Sequence, residues 1–81
     1  MKRVLRFTAE WCEPCKSLAK ILDKMNVNIP IEVYDIDKDT DIALEYGIRG
    51  VPTLVMLDGN TEVKRNVGLK PQEKLEEWFA D

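Results

Sequence analysis

The chain has 81 residues, of which 44% are hydrophobic and 33% are charged. This length and composition suit one small folded domain over residues 1–81 and exclude an intrinsically disordered chain. Twelve basic and fifteen acidic residues give a net charge of -3 without a basic block, which excludes a nucleic-acid surface. There is no histidine and no apolar run as long as a membrane span, so imidazole chemistry and a membrane-spanning role are excluded as well.

The first part of the chain predicts a strand, a helix and a second strand. The run from Val4 to Thr8 contains apolar and β-forming residues and predicts a strand that is buried on both faces. A helix is predicted from Pro14 onward, because proline suits a first turn and apolar residues then recur at helical spacing. These residues are Cys15, Leu18, Ala19, Leu22 and Met25. Ile31 to Ile36 alternates and predicts the second strand.

The second part predicts a short helix, a hairpin and a last helix. Asp39 and Thr40 are candidate N-caps of a helix that Gly47 ends. Residues 53–57 and 61–67 predict two strands joined by an Asp58-Gly59 turn, and Pro71 opens a last helix whose Trp78 and Phe79 are assigned to the core.

The element order is therefore βαβαββα. The first two strands are joined through a helix, so they should be parallel with a right-handed crossover, and the last two should form an antiparallel hairpin. We expect an α/β fold with a four-stranded mixed sheet and helices on both of its faces.

Both cysteines lie in the stretch Trp11-Cys12-Glu13-Pro14-Cys15-Lys16, at the predicted junction of strand and helix. Unpaired amides and the helix dipole stabilise a thiolate at a helix N-terminus, so the pair predicts a thiol–disulfide centre. Cys12 is placed to attack, and Cys15, one turn inside the helix, should be more buried and should resolve the mixed disulfide. The alternatives are a structural disulfide or half of a metal site. Zinc needs four ligands, which only a homodimer would supply from these cysteines.

The N-terminal residues can indicate the cellular compartment of the protein. Met1-Lys2-Arg3 resembles the start of a signal peptide, but Arg6 interrupts the apolar part at once. We therefore expect a cytoplasmic protein without a secretory signal. In a reducing compartment a lone CxxC pair is more often catalytic or metal-binding than a permanent cross-link.

Three motifs in the same order resemble those of the thioredoxin superfamily. The first is the active-site signature, at residues 7–16. The second resembles its cis-proline segment and runs from Tyr46 through Gly50-Val51-Pro52-Thr53 to Leu54, and the third is the late glycine, Gly68. The resemblance covers almost the whole chain. It also implies that the N-terminal strand and helix of full-length thioredoxins are missing, which leaves a chain of glutaredoxin-like length.

The resemblance implies a substrate-binding surface around the cysteines. Its members would be Trp11, Glu13, Pro14, Gly50, Val51, Pro52 and Gly68, with an apolar rim that includes Ile36, Val67 and Leu69. A cis Pro52 would expose the Val51 backbone, so that a substrate peptide could pair with it as an added strand. The alternatives are an ordinary trans turn proline at Pro52, a Trp11 that only caps the core, and plain core packing of Ile36 and Val67.

The implied function is the reduction of protein disulfides by a monomer. It would bind no cofactor and use a redox-active Cys12–Cys15 disulfide, which an NADPH-linked reductase of the thioredoxin reductase type would reduce. A glutaredoxin-like enzyme that uses glutathione is the alternative within this class, although the Trp-Cys-x-Pro-Cys form and Ile48-Arg49-Gly50 favour thioredoxin. The alternative from another class is a thioredoxin-like subunit that only binds another protein.

The chain departs from the family at three positions. Glu13 stands where thioredoxins usually carry glycine, and Arg6 and Val33 stand where they usually carry a buried aspartate and a lysine. The Glu13 carboxylate should raise the pKa of Cys12, and a guanidinium beneath the site should do the reverse. Arg6 must either pair with a carboxylate, for which Asp35, Asp37 and Glu10 are candidates, or lie on an open sheet face.

Overall fold

The computed structural model describes residues 1–80 and contains the predicted elements in the predicted order. They are β1 (Lys2–Thr8), α1 (Glu13–Lys24), β2 (Ile31–Asp35), α2 (Thr40–Glu45), β3 (Thr53–Asp58), β4 (Thr61–Val67) and α3 (Gln72–Ala80). The boundaries differ from the predicted ones by one or two residues. β1 begins at Lys2 and not at the predicted Val4. At the hairpin, Asp58 belongs to β3 and the turn is formed by Gly59 and Asn60. Gly59 has a φ of 63°, which glycine adopts without strain.

The four strands form one mixed sheet in the order β2-β1-β3-β4. β1 is parallel to β2, with Arg6 opposite Val33, and antiparallel to β3, with Leu5 opposite Val55. β3 and β4 form the antiparallel hairpin. The predicted mixed sheet is confirmed, and β1 and β3 occupy its centre, which explains why their apolar side chains are buried.

Successive side chains of β1 point to opposite faces of the sheet, so β1 contributes to two separate cores. Val4 packs on one face with Leu18 of α1 and Leu75 of α3. Leu5 and Phe7 pack on the other face with a cluster that includes Ala43 of α2. The prediction of helices on both faces is confirmed, and each fully buried leucine contributes about 1.5–3 kcal/mol to this packing.

The last helix closes the first of these cores. The rings of Trp78 and Phe79 meet edge to face, with centroids 4.9 Å apart, and both pack against the core while remaining partly exposed. Their predicted assignment to the core is therefore confirmed. Within residues 1–80, no helix has both the length and the apolar character that a membrane crossing requires.

Candidate active site

Cys12 and Cys15 lie at the N-terminus of α1 and form a disulfide, with their Cα atoms 5.2 Å apart. Cys12 is the N-cap residue, and its Sγ accepts a hydrogen bond of 3.2 Å from the backbone N–H of Cys15. Pro14 lies in the first turn, where its missing N–H costs no hydrogen bond. When the pair is reduced, the same N–H and the helix dipole are positioned to stabilise a thiolate on Cys12.

Both cysteines are buried in the disulfide state. Cys15 is 1% exposed and Cys12 only 4%, because both pack with Ala9 and against Ile36 and Val51. The expectation that Cys15 is the more buried of the two is confirmed by a narrow margin. In the disulfide state, the side chain of Cys12 thus presents little surface to solvent.

The loop before β3 approaches the cysteines from the other side. The peptide bond between Val51 and Pro52 is cis, which confirms the sequence-based prediction, and Val51 packs against the cysteine pair. Thr53 Oγ1 donates a hydrogen bond of 2.7 Å to the carbonyl of Gly50, and Gly68 N–H donates one of 2.8 Å to the carbonyl of Pro52. The structure therefore brings Gly50, Val51, Pro52 and Gly68 together. Gly68 has a φ of 89°, a conformation that side chains other than that of glycine rarely adopt.

Trp11 lies on the surface beside the disulfide. Its side chain is 67% exposed, so the interpretation that it caps the core is wrong. Its indole Nε1 donates a hydrogen bond of 2.8 Å to Asp37 Oδ2, and the neighbouring Lys38 pairs with Glu10 at 3.3 Å. The hydrogen bond to Glu10 raises the pKa of Lys38. These two contacts connect the loop before α1 to the loop after β2.

Sequence reasoning missed the contact between Asp37 and Trp11. The signal was available, because the carboxyl ends of adjacent parallel strands open at the same edge of a sheet. Asp37 follows β2 and Trp11 follows β1, and the two strands are parallel neighbours.

Glu13 and Pro14, the residues between the cysteines, are both exposed. The Glu13 carboxylate is 3.5 Å from Lys16 Nζ, and the two side chains are 81% and 57% exposed. The carboxylate nearest to Cys12 in the sequence is therefore partly balanced by a cation one turn along the same helix.

Apolar side chains flank Gly68 on the surface. Val67 is 58% exposed and Leu69 42% exposed, so core packing is wrong for Val67. Ile36 is half-buried and contacts both the cysteine cluster and the core that contains Phe7. The exposed apolar groups around the disulfide are thus Trp11, Val67 and Leu69.

Arg6 lies in a cleft between α1 and the β1–β2 side of the sheet. The carboxylates proposed from the sequence as its partners, those of Asp35, Asp37 and Glu10, are not paired with it. Burial lowers the pKa of Arg6, and the charge of Asp23 on α1 partly offsets this effect. Val33, its neighbour in register, is 52% exposed, so the sheet is open on this side as the alternative interpretation predicted.

Within residues 1–80, no group of three or more histidine, cysteine, aspartate or glutamate side chains is arranged to hold a metal ion. The groups present at the described site are the two sulfur atoms, the N-terminal amides of α1 and the surrounding apolar side chains.

Several known proteins are similar to this chain in both sequence and fold. The thioredoxin family profile matches residues 1–81. A thioredoxin of Bacillus subtilis is 37% identical over 75 residues, which cover 88% of this chain and 72% of the relative. A thioredoxin of Chlamydia muridarum is 39% identical over 72 residues, which cover 85% of this chain and 71% of the relative. The crystal structure of a thioredoxin from Nicotiana alata, 32% identical, superimposes with a TM-score of 0.89 over 98% of this chain and 70% of its own. With a cysteine pair and a cis-proline loop in the matched region, the chain belongs to the thioredoxin family of thiol–disulfide oxidoreductases.

Proposed function

We propose that the protein reduces disulfides in other proteins, with Cys12 as the attacking thiol and Cys15 as the resolving thiol. The observation that carries this assignment is the hydrogen bond from the Cys15 N–H to Cys12 Sγ at the start of α1. A thiolate on Cys12 keeps this bond and faces the positive end of the helix dipole. Cys12 is the N-cap and precedes the helix, whereas Cys15 lies one turn inside it, so a large substrate reaches Cys12 first.

The proposed reaction has two exchange steps. The Cys12 thiolate attacks one sulfur of the substrate disulfide, which forms a mixed disulfide and releases the other substrate sulfur as a thiolate. Cys15 then loses its proton and attacks Cys12 Sγ, so that the Cys12–Cys15 disulfide forms and the second substrate sulfur leaves. Two electrons pass from the cysteine pair to the substrate, and both released thiolates take up protons from water.

The proposed substrate surface combines main-chain and apolar contacts. A peptide pairs with the backbone of Val51 beside the disulfide, in the manner of an added strand. Trp11 supplies a large exposed ring at one side, and Gly68 lets a substrate approach closely at the other. The exposed side chains of Glu13 and Pro14, together with Gly50 and Pro52, complete the surface.

Electrons reach the disulfide from a separate donor. We propose an NADPH-linked reductase of the thioredoxin reductase type, because the chain is similar to thioredoxins along almost its whole length. In this proposal the protein is a monomeric single domain of the cytoplasm that takes part in electron transport and cell redox homeostasis. It binds no nucleic acid, since its charge of -3 is spread along the chain.

Reduction of insulin disulfides tests the function and identifies the donor. One arm supplies NADPH with thioredoxin reductase, and the other supplies glutathione with glutathione reductase and NADPH. The proposal predicts turnover in the first arm only, and loss of turnover in Cys12→Ser and Cys15→Ser. Turnover only with glutathione would identify a glutaredoxin-like enzyme. Inactivity in both arms would overturn the reductase assignment in favour of a binding module.

A further inference from the structure

Arg6 is a half-buried cation that the proposed mechanism has not used. It lies on the same face of β1 as Val4, beneath α1, and it lines a cleft of about 250 Å³ together with Cys15, Thr8 and Ala19. Arg6 and the buried Cys15 therefore line the same cleft, beside the first turns of α1.

Charged groups from three other segments also line this cleft. They are Glu10 from the loop after β1, Lys16 from α1 and Asp35 from β2. Each of them is already engaged elsewhere.

Glu10 pairs with Lys38, and Lys16 pairs with Glu13, both on the surface. Asp35 Oδ1 accepts a hydrogen bond of 2.8 Å from the backbone N–H of Asp37. Arg6 differs from these groups, because it has no ion pair within 4 Å among residues 1–80, and Asp23 acts on it only through its charge. The positive charge of Arg6 therefore remains available to an anion that forms in the cleft.

We propose that Arg6 stabilises the thiolate of Cys15 and so promotes the resolving step. This inference rests on the function proposed above, in which Cys15 must ionise while it is almost completely buried. Burial in apolar surroundings disfavours a thiolate, and a nearby positive charge favours it. Arg6 is a positioning residue in this account, since it touches neither the substrate nor the sulfur that is attacked.

In the proposed mechanism, Arg6 acts at one point of the resolving step, when the sulfur of Cys15 is ionised. In the mixed disulfide, the Cys15 thiol releases its proton to water and its sulfur becomes an anion beside the cleft. The thiolate then attacks Cys12 Sγ, the bond between Cys12 and the substrate sulfur breaks, and the substrate thiolate leaves and is protonated. The guanidinium neither gives nor takes the proton; it lowers the free energy of the anion that precedes the attack.

The test measures the pKa of Cys15 as the only thiol of the chain. In a Cys12→Ser background, the ultraviolet absorbance of the thiolate is followed against pH. Arg6→Gln should raise the pKa of Cys15 by about one unit, the lower end of the effect of a neighbouring opposite charge. Arg6→Met should do the same, and its unbranched apolar stem fills the cleft if the glutamine variant folds poorly. Arg6→Lys should restore most of the original pKa.

Arg3→Gln is the matched control. Arg3 lies on the same strand and carries the same charge, but it points to the other face of the sheet and pairs with Glu32 at 3.6 Å. Its removal should leave the pKa of Cys15 unchanged. An equal shift in the Arg3 and Arg6 variants would overturn the proposal, because it would reflect net charge alone.

The second measurement is the rate of release of the second substrate thiol from a preformed mixed disulfide, in chains that retain both cysteines. The pH at which this rate is half-maximal should move upward in Arg6→Gln by the same amount as the pKa of Cys15. An unchanged pKa in a chain that still reduces insulin would overturn the role of Arg6 and leave the proposed function intact. A raised pKa in a chain that never reduces insulin would support the electrostatic coupling and overturn the function.

Discussion

Replacing Glu13 by glutamine isolates the effect of one charge on the attacking thiol. Glu13 is the first residue of α1 and directly follows Cys12, and its carboxylate is 81% exposed. Glutamine keeps the size and the helix propensity of the side chain, so the charge is the main property that changes. We expect the pKa of Cys12 in the reduced protein to fall, because a negative neighbour disfavours a thiolate.

The expected size follows from the exposure of Glu13. Two groups on consecutive residues lie roughly 7 Å apart when the longer side chain points to solvent. Two unit charges at about 7 Å in water interact by about 0.6 kcal/mol, which corresponds to about 0.4 pKa unit. Lys16, freed from Glu13 by the substitution, acts in the same direction. Salt should reduce the shift, because the Debye length falls from about 10 Å at 0.1 M to about 3 Å at 1 M.

The assay is the alkylation rate of Cys12 with iodoacetamide as a function of pH, read by mass spectrometry on the reduced protein. Glu73→Gln is the control, because Glu73 lies in the first turn of α3 and carries the same charge far from the cysteines. Lys16→Gln should shift the pKa of Cys12 in the opposite direction. An unchanged or raised pKa in Glu13→Gln at low salt would refute the electrostatic reasoning.

Three further outcomes are expected. Cys15→Ser should accumulate a mixed disulfide with substrate on a non-reducing gel and Cys12→Ser should not; the reverse pattern would exchange the two roles. Leu18→Ala should lower the free energy of unfolding, measured in urea, by about 2–5 kcal/mol, because it opens a cavity between α1 and the sheet. Leu44 is 79% exposed, so Leu44→Ala should change this free energy by less than about 0.5 kcal/mol. Hydrogen bonds from Arg65 lower the pKa of Glu62 from its ordinary 4.5, so this pair stabilises the fold above that pH and its contribution is lost as the pH falls through the lowered pKa. Glu62→Gln should therefore flatten this part of the acid dependence of unfolding, and an unaltered slope would contradict the linkage.

The element order and the position of the disulfide could be predicted because they depend on local patterns. The apolar run of β1, the proline at the start of α1 and the spacing of the two cysteines all lie within about twenty consecutive residues. The cis bond before Pro52 was predicted from the resemblance, since no local pattern distinguishes it from a trans turn. Features of the site can therefore be predicted where one segment determines its own structure, or where the resemblance to a known family indicates the conformation.

The polar contacts around the site could not be predicted in the same way. Asp35, Asp37 and Glu10 were the candidate partners of Arg6, yet the charge that acts on it belongs to Asp23 on α1. The position of the charged group of a long side chain depends on its rotamer and on the packing of the helix above it, and the sequence determines neither by a local pattern. The burial of Cys12 could not be predicted for a related reason, because Ile36 and Val51 pack against the cysteines from segments that are distant in the chain.

The charges near the disulfide fall into two groups with different consequences. At the surface near the disulfide, acidic and basic side chains are paired, Glu10 with Lys38 and Glu13 with Lys16, so their fields largely cancel beyond the first few ångströms. At the proposed substrate surface, the remaining contacts are therefore mainly apolar groups and main chain. Beneath α1, Arg6 is half-buried and has no ion pair within 4 Å among residues 1–80, and a half-buried charge acts more strongly on its neighbours than a fully exposed one. In the proposed mechanism, the surface around Cys12 contacts the substrate, while Arg6 acts on the ionisation of Cys15.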